Sequence, residues 1–503
     1  MARETLGTVK PGLVKRSLRF LRDSFVKKKL NNWVGYAFIL LVAIVMGGLL
    51  GTNLIAGLGL FGALAGFCIV IAFLTRPEFG FFVLMGFCFY VAFFNNLFFG
   101  GNLQVGIFYD IMVLLIFLGV IAQTGEFKGN WKRFIHYSLV SYILMTLCYN
   151  VVQVFNPNSK PSSTDILAIR KFVGYILLLF SAYHLFSNYQ RVRRYIFALF
   201  FIALICAFYG CIQEWHGLFN FELEPIMADP HAFGLLFANG EFRKFSTMSD
   251  PTTFGILMAV CAIFFLILST QEEDKRIKYL FIFGSIFMVL GMLYSGTRTA
   301  NATLVAGVAF FILLNIEKQG TRIFGAVAVV VFLAILFGPF SGVPFVNRFR
   351  TTFQGSKDES YKVRILSRAW IQPYILSHPI GGGMGTTGFN GAIEHPGHPL
   401  ANFQPDSSYV KRAAETGWIG LAIVCILYAF TLIEAVRAFF RAKDEKRKVL
   451  YAACASSLFA FYIAEFAQVA IGGTSDVVVY YPIVAIVLRS KIFEADEQTG
   501  ISV

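Results

Sequence analysis

Four positions in this largely apolar chain carry the residue types that phosphate and sugar chemistry needs. Arg243 lies in GEFRKFSTMSDPTTFG, Arg298 in YSGTRTA, Arg364 in YKVRILSRAW, and Asp406 in QPDSSYVKRAAETGWIG. A guanidinium offers a planar fork of donors that grips phosphate oxygens two at a time. A carboxylate next to a substrate hydroxyl can take its proton. Arginines and an acid converging on one cavity would suit a lipid carrying a diphosphate. Each residue also has a plain structural reading. An arginine at a helix end snorkels to headgroups or pairs with a nearby acid, Glu241 or Asp250 for Arg243 and Asp358 or Glu359 for Arg364. Asp406 follows Pro405 and precedes a helix, so it also fits an N-cap.

The elements that must position these residues are membrane helices. Of 503 residues, 57% are hydrophobic and only 14% charged, with a mean hydropathy of +0.66. A chain of that balance cannot hide its apolar surface in a water-soluble core, so lipid must solvate it. With about 20 apolar residues needed per span, roughly fourteen segments qualify: 33–51, 55–75, 79–99, 105–123, 134–154, 171–187, 195–213, 252–270, 279–296, 299–316, 323–340, 408–436, 449–471 and 476–490. The fold class expected is all-α, a polytopic bundle of about 12–14 spans occupying residues 31–490.

The net charge of +14 fits insertion better than nucleic-acid binding, because Lys and Arg collect on cytoplasmic loops and no basic run is interleaved with aromatics as a stacking platform requires. One alternate set of loops holds Arg76; Lys128, Lys132 and Arg133; Arg191, Arg193 and Arg194; Lys275, Arg276 and Lys278; Lys318 and Arg322; Arg437 to Lys448; and Arg489 with Lys491. These face the cytoplasm, with both termini. Residues 1–30 read as a basic amphipathic segment on the cytoplasmic leaflet, retained rather than cleaved, and 491–503 as a cytoplasmic tail. The eight cysteines all fall in apolar runs and read as small hydrophobes.

Three of the opposite loops are long: 155–170, 214–251 and 341–407. Long loops between helices tend to carry function, and the last is expected to contain short helices lying on the membrane surface. All four residues named at the outset fall on this side, the three arginines against the topology rule. HPIGGGMG (378–385) lacks the Lys-Ser/Thr of a nucleotide loop and reads as a tight turn. His395 and His398 lack a third metal ligand and read as loop histidines. Asp110 and Glu465 sit within apolar spans, where an acid is either functional or held by a buried partner.

Together these features resemble the O-antigen ligase and polymerase superfamily of membrane glycosyltransferases. FRKFSTMSDPTTFGILMA resembles its arginine-plus-"G-x-F-x-(N/D)-P" segment, and YSGTRTANATL its "S-x-S-R-x-A" signature. The stretch from Arg364 through AWIQPYILSHPIGGGMGTTGF to DSSYVKRAAETGWIGL resembles its "R…W…hPl-G-x-G…H-N-S-Y-L…E-x-G-x-x-G" region. The matches cover roughly 240–425. One position departs: where ligases carry His, this chain has Asp406, followed by Ser407 and Ser408. An acid there is more like members that polymerise repeat units.

The resemblance implies a GT-C-like architecture and an undecaprenyl-diphosphate-linked glycan as substrate. It implies that Arg243 and Arg364 hold the diphosphate, with Arg298, Arg368, Ser407 and Ser408 nearby and Asp406 as base. No metal or other cofactor is expected. Expected partners are membrane lipids and a chain-length regulator and flippase of the same pathway, with no nucleic acid. The expected setting is the bacterial inner membrane, with the active site on the periplasmic face. Two other readings stand beside polymerisation. One is a ligase that transfers the finished glycan to lipid A-core or another surface acceptor. The other is a lipid-linked glycan transporter driven through Asp110 and Glu465, which gains nothing from the lack of an internal repeat.

Overall fold

In lipid a long apolar segment has one open-chain option, the helix, because every inner N–H and C=O must pair within the segment. The computed structural model describes residues 33–52, 54–101, 105–124, 134, 137–238, 240–339, 349–350, 353 and 359–498. The expected amphipathic segment 1–30, the loop with Lys128, Lys132 and Arg133, and Arg348 lie outside them. Each of the fourteen predicted spans falls on a helix: α1 Trp33–Thr52, α2 Leu54–Thr75, α3 Pro77–Phe99, α4 Val105–Thr124, α5 Ser138–Gln153, α6 Ser163–Leu185, α7 Tyr189–His216, α10 Pro251–Ser269, α11 Lys275–Tyr294, α12 Arg298–Leu314, α13 Gln319–Phe337, α16 Ser408–Arg441, α17 Glu445–Glu465 and α18 Thr474–Gln498. Between them lie α8 Asn220–Ala228, α9 Pro230–Leu236, α14 Glu359–Ser377 and α15 Gly388–Glu394. The only sheet among the described residues is a hairpin of two-residue strands, β1 Phe237–Ala238 and β2 Glu241–Phe242, with Phe237 opposite Phe242.

The protein is therefore an all-α, multi-pass membrane protein. Among the described residues nine helices are long and apolar enough to cross a membrane. Of the five other predicted spans, α1 and α2 contribute shorter apolar stretches, Gly35–Val45 and Gly62–Thr75, α5 and α12 have 16 and 17 residues, and α18 carries Asp476, Arg489, Lys491 and Glu494.

The chain divides into two compact units, Met1–Ala72 and Phe73–Val503. The first contains α1 and most of α2, whose described side chains are largely exposed. In the second, α10, α17 and α18 are deeply enclosed helices. α10 packs against α11, α12 and α17, and α17 against α12 and α16. The contact faces are lined by small residues, such as the buried run Ala452–Ser457 of α17, which let helix axes approach closely. At Gly255 a methyl group would collide with the Ser295 side chain, so this closeness depends on glycine.

The predicted cytoplasmic loops that are described meet at one end of this unit. Arg193 pairs with Glu272 at 3.3 Å, Arg194 with Glu78 at 3.0 Å and Lys446 with Glu273 at 3.0 Å. Lys318 pairs with Glu445, and Arg489 donates to the Ser187 carbonyl at 2.9 Å. Helix α10 ends in that region and α12 leads into it, so their first residues, next to Asp250 and Arg298, lie at the opposite end.

Candidate functional site

At that opposite end the large loop is held by backbone groups that its glycines expose. Gly382 and Gly383 donate to the carbonyls of Ala414 and Glu415 at 2.8 and 2.9 Å, and the Trp418 N–H donates to Pro379 at 2.9 Å. These bonds form because α16 breaks at Gly417, whose φ of 68° and ψ of −169° free its neighbouring carbonyls. That backbone region is essentially closed to residues with a Cβ, and a methyl at Gly417 would also strike the Pro379 carbonyl. HPIGGGMG is thus a docking turn seated in a helix break, and the "E-x-G-x-x-G" pattern marks the break. Gly417→Ala is expected to release the loop, at a cost of about 1–3 kcal/mol from backbone strain alone. Faster protease cleavage within 378–404, with α16 still inserted, is the readout; unchanged cleavage would contradict the assignment.

The other face of the loop rests on the connection before α6. Asn158 Nδ2 donates to the Gly381 carbonyl at 2.9 Å, and Gln153 Nε2 to that of Ile380 at 3.0 Å. The two loop histidines serve the same contact. His395 Nε2 lies 3.1 Å from Ser162 Oγ, and His398 Nε2 donates to the Asn158 carbonyl at 3.1 Å. The Leu400 N–H donates to His398 Nδ1 at 3.1 Å, which leaves that nitrogen as an acceptor. Burial, with His395 and His378 nearby, lowers the His398 pKa below the usual histidine value.

The loop delivers α14 to the head of α16, where three of the predicted site residues meet. Arg364 Nε lies 3.4 Å from Asp406 Oδ2, and Arg368 Nη2 lies 3.9 Å from the same oxygen. Asp406 is not the N-cap; Ser407 occupies that position, and it makes no side-chain cap bond. Both carboxylate oxygens are buried and accept no hydrogen bond among the described residues. Asp406 is therefore an acceptor beside two cations with its lone pairs uncommitted. Arg368 is tied more firmly elsewhere: Nη2 donates to the Phe466 carbonyl at 3.2 Å, and its guanidinium lies 4.8 Å from the Phe466 ring centre.

Ser407 and Ser408 are both buried. Ser407 Oγ donates to the Glu465 carbonyl at 3.2 Å, the Ser408 N–H donates to the Gln468 carbonyl at 3.3 Å, and the Ser408 side chain hydrogen-bonds the Glu465 carboxylate. Glu465 also accepts from the Ala470 and Ile471 N–H groups, each at 2.7 Å, and from the Tyr428 hydroxyl at 3.2 Å. It is the knot that fixes the 466–473 linker under Asp406. Asp110 lies in the second turn of α4 and forms an ion pair with Arg170 at 2.9 Å. Each acid flagged in an apolar span thus has protein partners.

Arg243 is held in a separate frame. Its Nε donates to the Ser295 carbonyl at 3.1 Å, Nη2 to Thr297 Oγ1 at 2.9 Å and Nη1 to the Leu235 carbonyl at 3.4 Å. It thereby clamps the β2 segment to the turn that opens α12, whose first residue is Arg298. Thr297 Oγ1 donates onward to the Pro251 carbonyl at 3.0 Å. Asp250 caps α10 by accepting from the Thr252 and Thr253 N–H groups, with Pro251 as the first helical residue. The family-like D-P pair is thus a helix start. Arg350 is likewise structural, donating to the Ile335 carbonyl at 2.7 Å near the end of α13.

Sequence reasoning passed over Arg170 and Lys171. It began the span at 171, whereas α6 begins at Ser163 behind a Ser162/Asp165 capping box, so both cations lie within the helix. The signal was the S-x-x-D pattern in SSTD, a variant of the capping box.

Residues 283–425 match the family model described as O-antigen ligase, Wzy_C. The match contains Arg298, Arg364, Arg368, Asp406, Ser407 and Ser408, and Arg243 precedes it. It falls within the motif region of 240–425 read from the sequence. No curated protein matches the chain.

Proposed function

We propose that this chain, which carries an O-antigen ligase domain of the O-antigen ligase and polymerase superfamily at residues 283–425, polymerises O-antigen or exopolysaccharide repeats from an undecaprenyl-diphosphate-linked donor. The observation that carries the reading is the buried, uncommitted Asp406 carboxylate 3.4 Å from Arg364 within the matched segment. An acceptor sugar hydroxyl attacks the anomeric carbon of the donor. A C–O bond forms there as the bond to the diphosphate oxygen breaks, and the hydroxyl proton passes to Asp406. Negative charge grows on the departing diphosphate, and guanidinium groups already fixed in place stabilise it without reorganising. Arg364 is the nearest such group to Asp406. Arg243 is assigned the same task because its carbonyl partners hold its charge rigidly at this end of the unit. In this scheme fixed cations do the work of a metal ion.

The basic loops gathered at the far end support a cytoplasmic placement for them, and so a periplasmic site in the bacterial inner membrane. A chain-length regulator and a flippase of the same pathway are the protein partners this role calls for. Asp406, in the position where ligases carry His, favours a polymerase over a ligase. The lipid-linked glycan of a deletion strain tests that choice: accumulation of single unpolymerised repeats is expected, whereas long unattached chains would make the protein a ligase.

A further inference from the structure

Beside the end of the 466–473 linker lies a cavity of about 410 Å³, within the about 300–1,000 Å³ span of small-ligand pockets. Its walls come from the second half of α3, the start of α4, the third and fourth turns of α6, Met248 and Ser249 before α10, and residues 472–475. The linker joins it to the site: the Tyr175 hydroxyl donates to the Gly472 carbonyl at 2.8 Å, while Glu465 holds Ala470 and Ile471.

The lining is of mixed sign. Asp110 can only accept, Arg170 and Lys171 can only donate, and the amides of Asn95 and Asn96 do both. A pocket for a diphosphate would gather cations alone, and a pocket for an acyl chain would gather neither. A sugar presents hydroxyls that each donate and accept, together with C–H faces that pack on aromatic rings. Tyr109 and Tyr175 supply such rings here. Tyr109 is 3% exposed, and its buried hydroxyl has no hydrogen-bond partner among the described residues. A buried hydroxyl left unpaired is costly unless a ligand or water completes it.

We propose that this cavity, bounded by Asp110, Arg170, Lys171, Asn96 and Tyr109, is a glycan subsite that seats a sugar of the acceptor chain. The assignment rests on the transfer reading above, because only a glycan-transferring protein needs a second carbohydrate grip apart from its arginines. The grip fixes the acceptor by its hydroxyls while the donor is held by its diphosphate.

The probe is the repeat-unit oligosaccharide released from the host's own surface polysaccharide, free of lipid and phosphate. Its affinity for the purified full chain is measured by calorimetry, without turnover, beside that of undecaprenyl diphosphate. The wild type is expected to bind the oligosaccharide, and Asn96→Ala and Asp110→Asn to weaken that binding tenfold or more, with undecaprenyl diphosphate bound as before. Thermal unfolding of both variants checks that each is folded, and Asn96→Ala keeps the test alive should the loss of Asp110 free Arg170 and unsettle α4. No oligosaccharide binding by the wild type, unchanged binding by folded variants, or loss of undecaprenyl diphosphate binding in its place would each overturn the subsite. A chain that binds the oligosaccharide at this cavity yet transfers nothing would instead refute the transfer reading.

Discussion

Asp406→Asn is expected to lower glycan transfer by about 10²–10⁴-fold, the usual contribution of a positioned general base, while leaving the protein folded in the membrane. The amide keeps the shape of the carboxylate but cannot take a proton from a hydroxyl. A purely structural role is open to Asp406 too, because it faces Arg364 at 3.4 Å and Arg368 at 3.9 Å. The double variant Asp406→Ala with Arg364→Ala separates the two. If the pair only holds α14 against α16, removing both charges should restore much of what either single change loses. If Asp406 is the base, the double variant is at least as inactive as Asp406→Ala. Near-normal transfer by folded Asp406→Asn would remove Asp406 from the chemistry.

Arg364→Ala is expected to cost about 10²–10³ in turnover, the usual loss when one preorganised group facing developing charge is removed. Arg364→Lys should recover little of it, because an ammonium cannot reproduce the planar fork. Arg243→Ala should also fall steeply, and Arg243→Lys with it, since a lysine cannot bridge the Ser295 carbonyl, the Leu235 carbonyl and Thr297 together. Arg368→Ala should act more on stability than on rate, given its grip on the Phe466 carbonyl and ring. Turnover measured on detergent-purified variants checks all five. Wild-type turnover by Arg364→Ala would leave the departing diphosphate without its assigned partner.

Much of this was legible in the sequence because hydropathy is a one-dimensional signal. Twenty apolar residues must become a helix in lipid, so every predicted span falls on one, although α18 runs on to Gln498 rather than ending near 490. The meeting of Arg364, Arg368 and Asp406 was foreshadowed by motif order, since α14 and α16 flank the same loop. What stayed hidden depends on side-chain partners. No pattern told whether Asp406 would cap its own helix or face α14, and the helix begins one residue later with Ser407 as its cap. The glycines of 378–385 looked like a generic turn because their purpose lies in the break at Gly417, more than thirty residues on. Arg170 and Lys171 were lost at a boundary: a ruler that counts apolar residues starts the span after the polar first two turns of α6.

The most direct measurement is transfer by the purified full chain in detergent micelles, where no sealed compartment exists to support transport. Supplied only with the undecaprenyl-diphosphate-linked repeat, the wild type is expected to build longer glycans and release one undecaprenyl diphosphate for each new glycosidic bond. Folded protein that releases none, or releases it equally with Asp406 and Arg364 both replaced, would contradict the account.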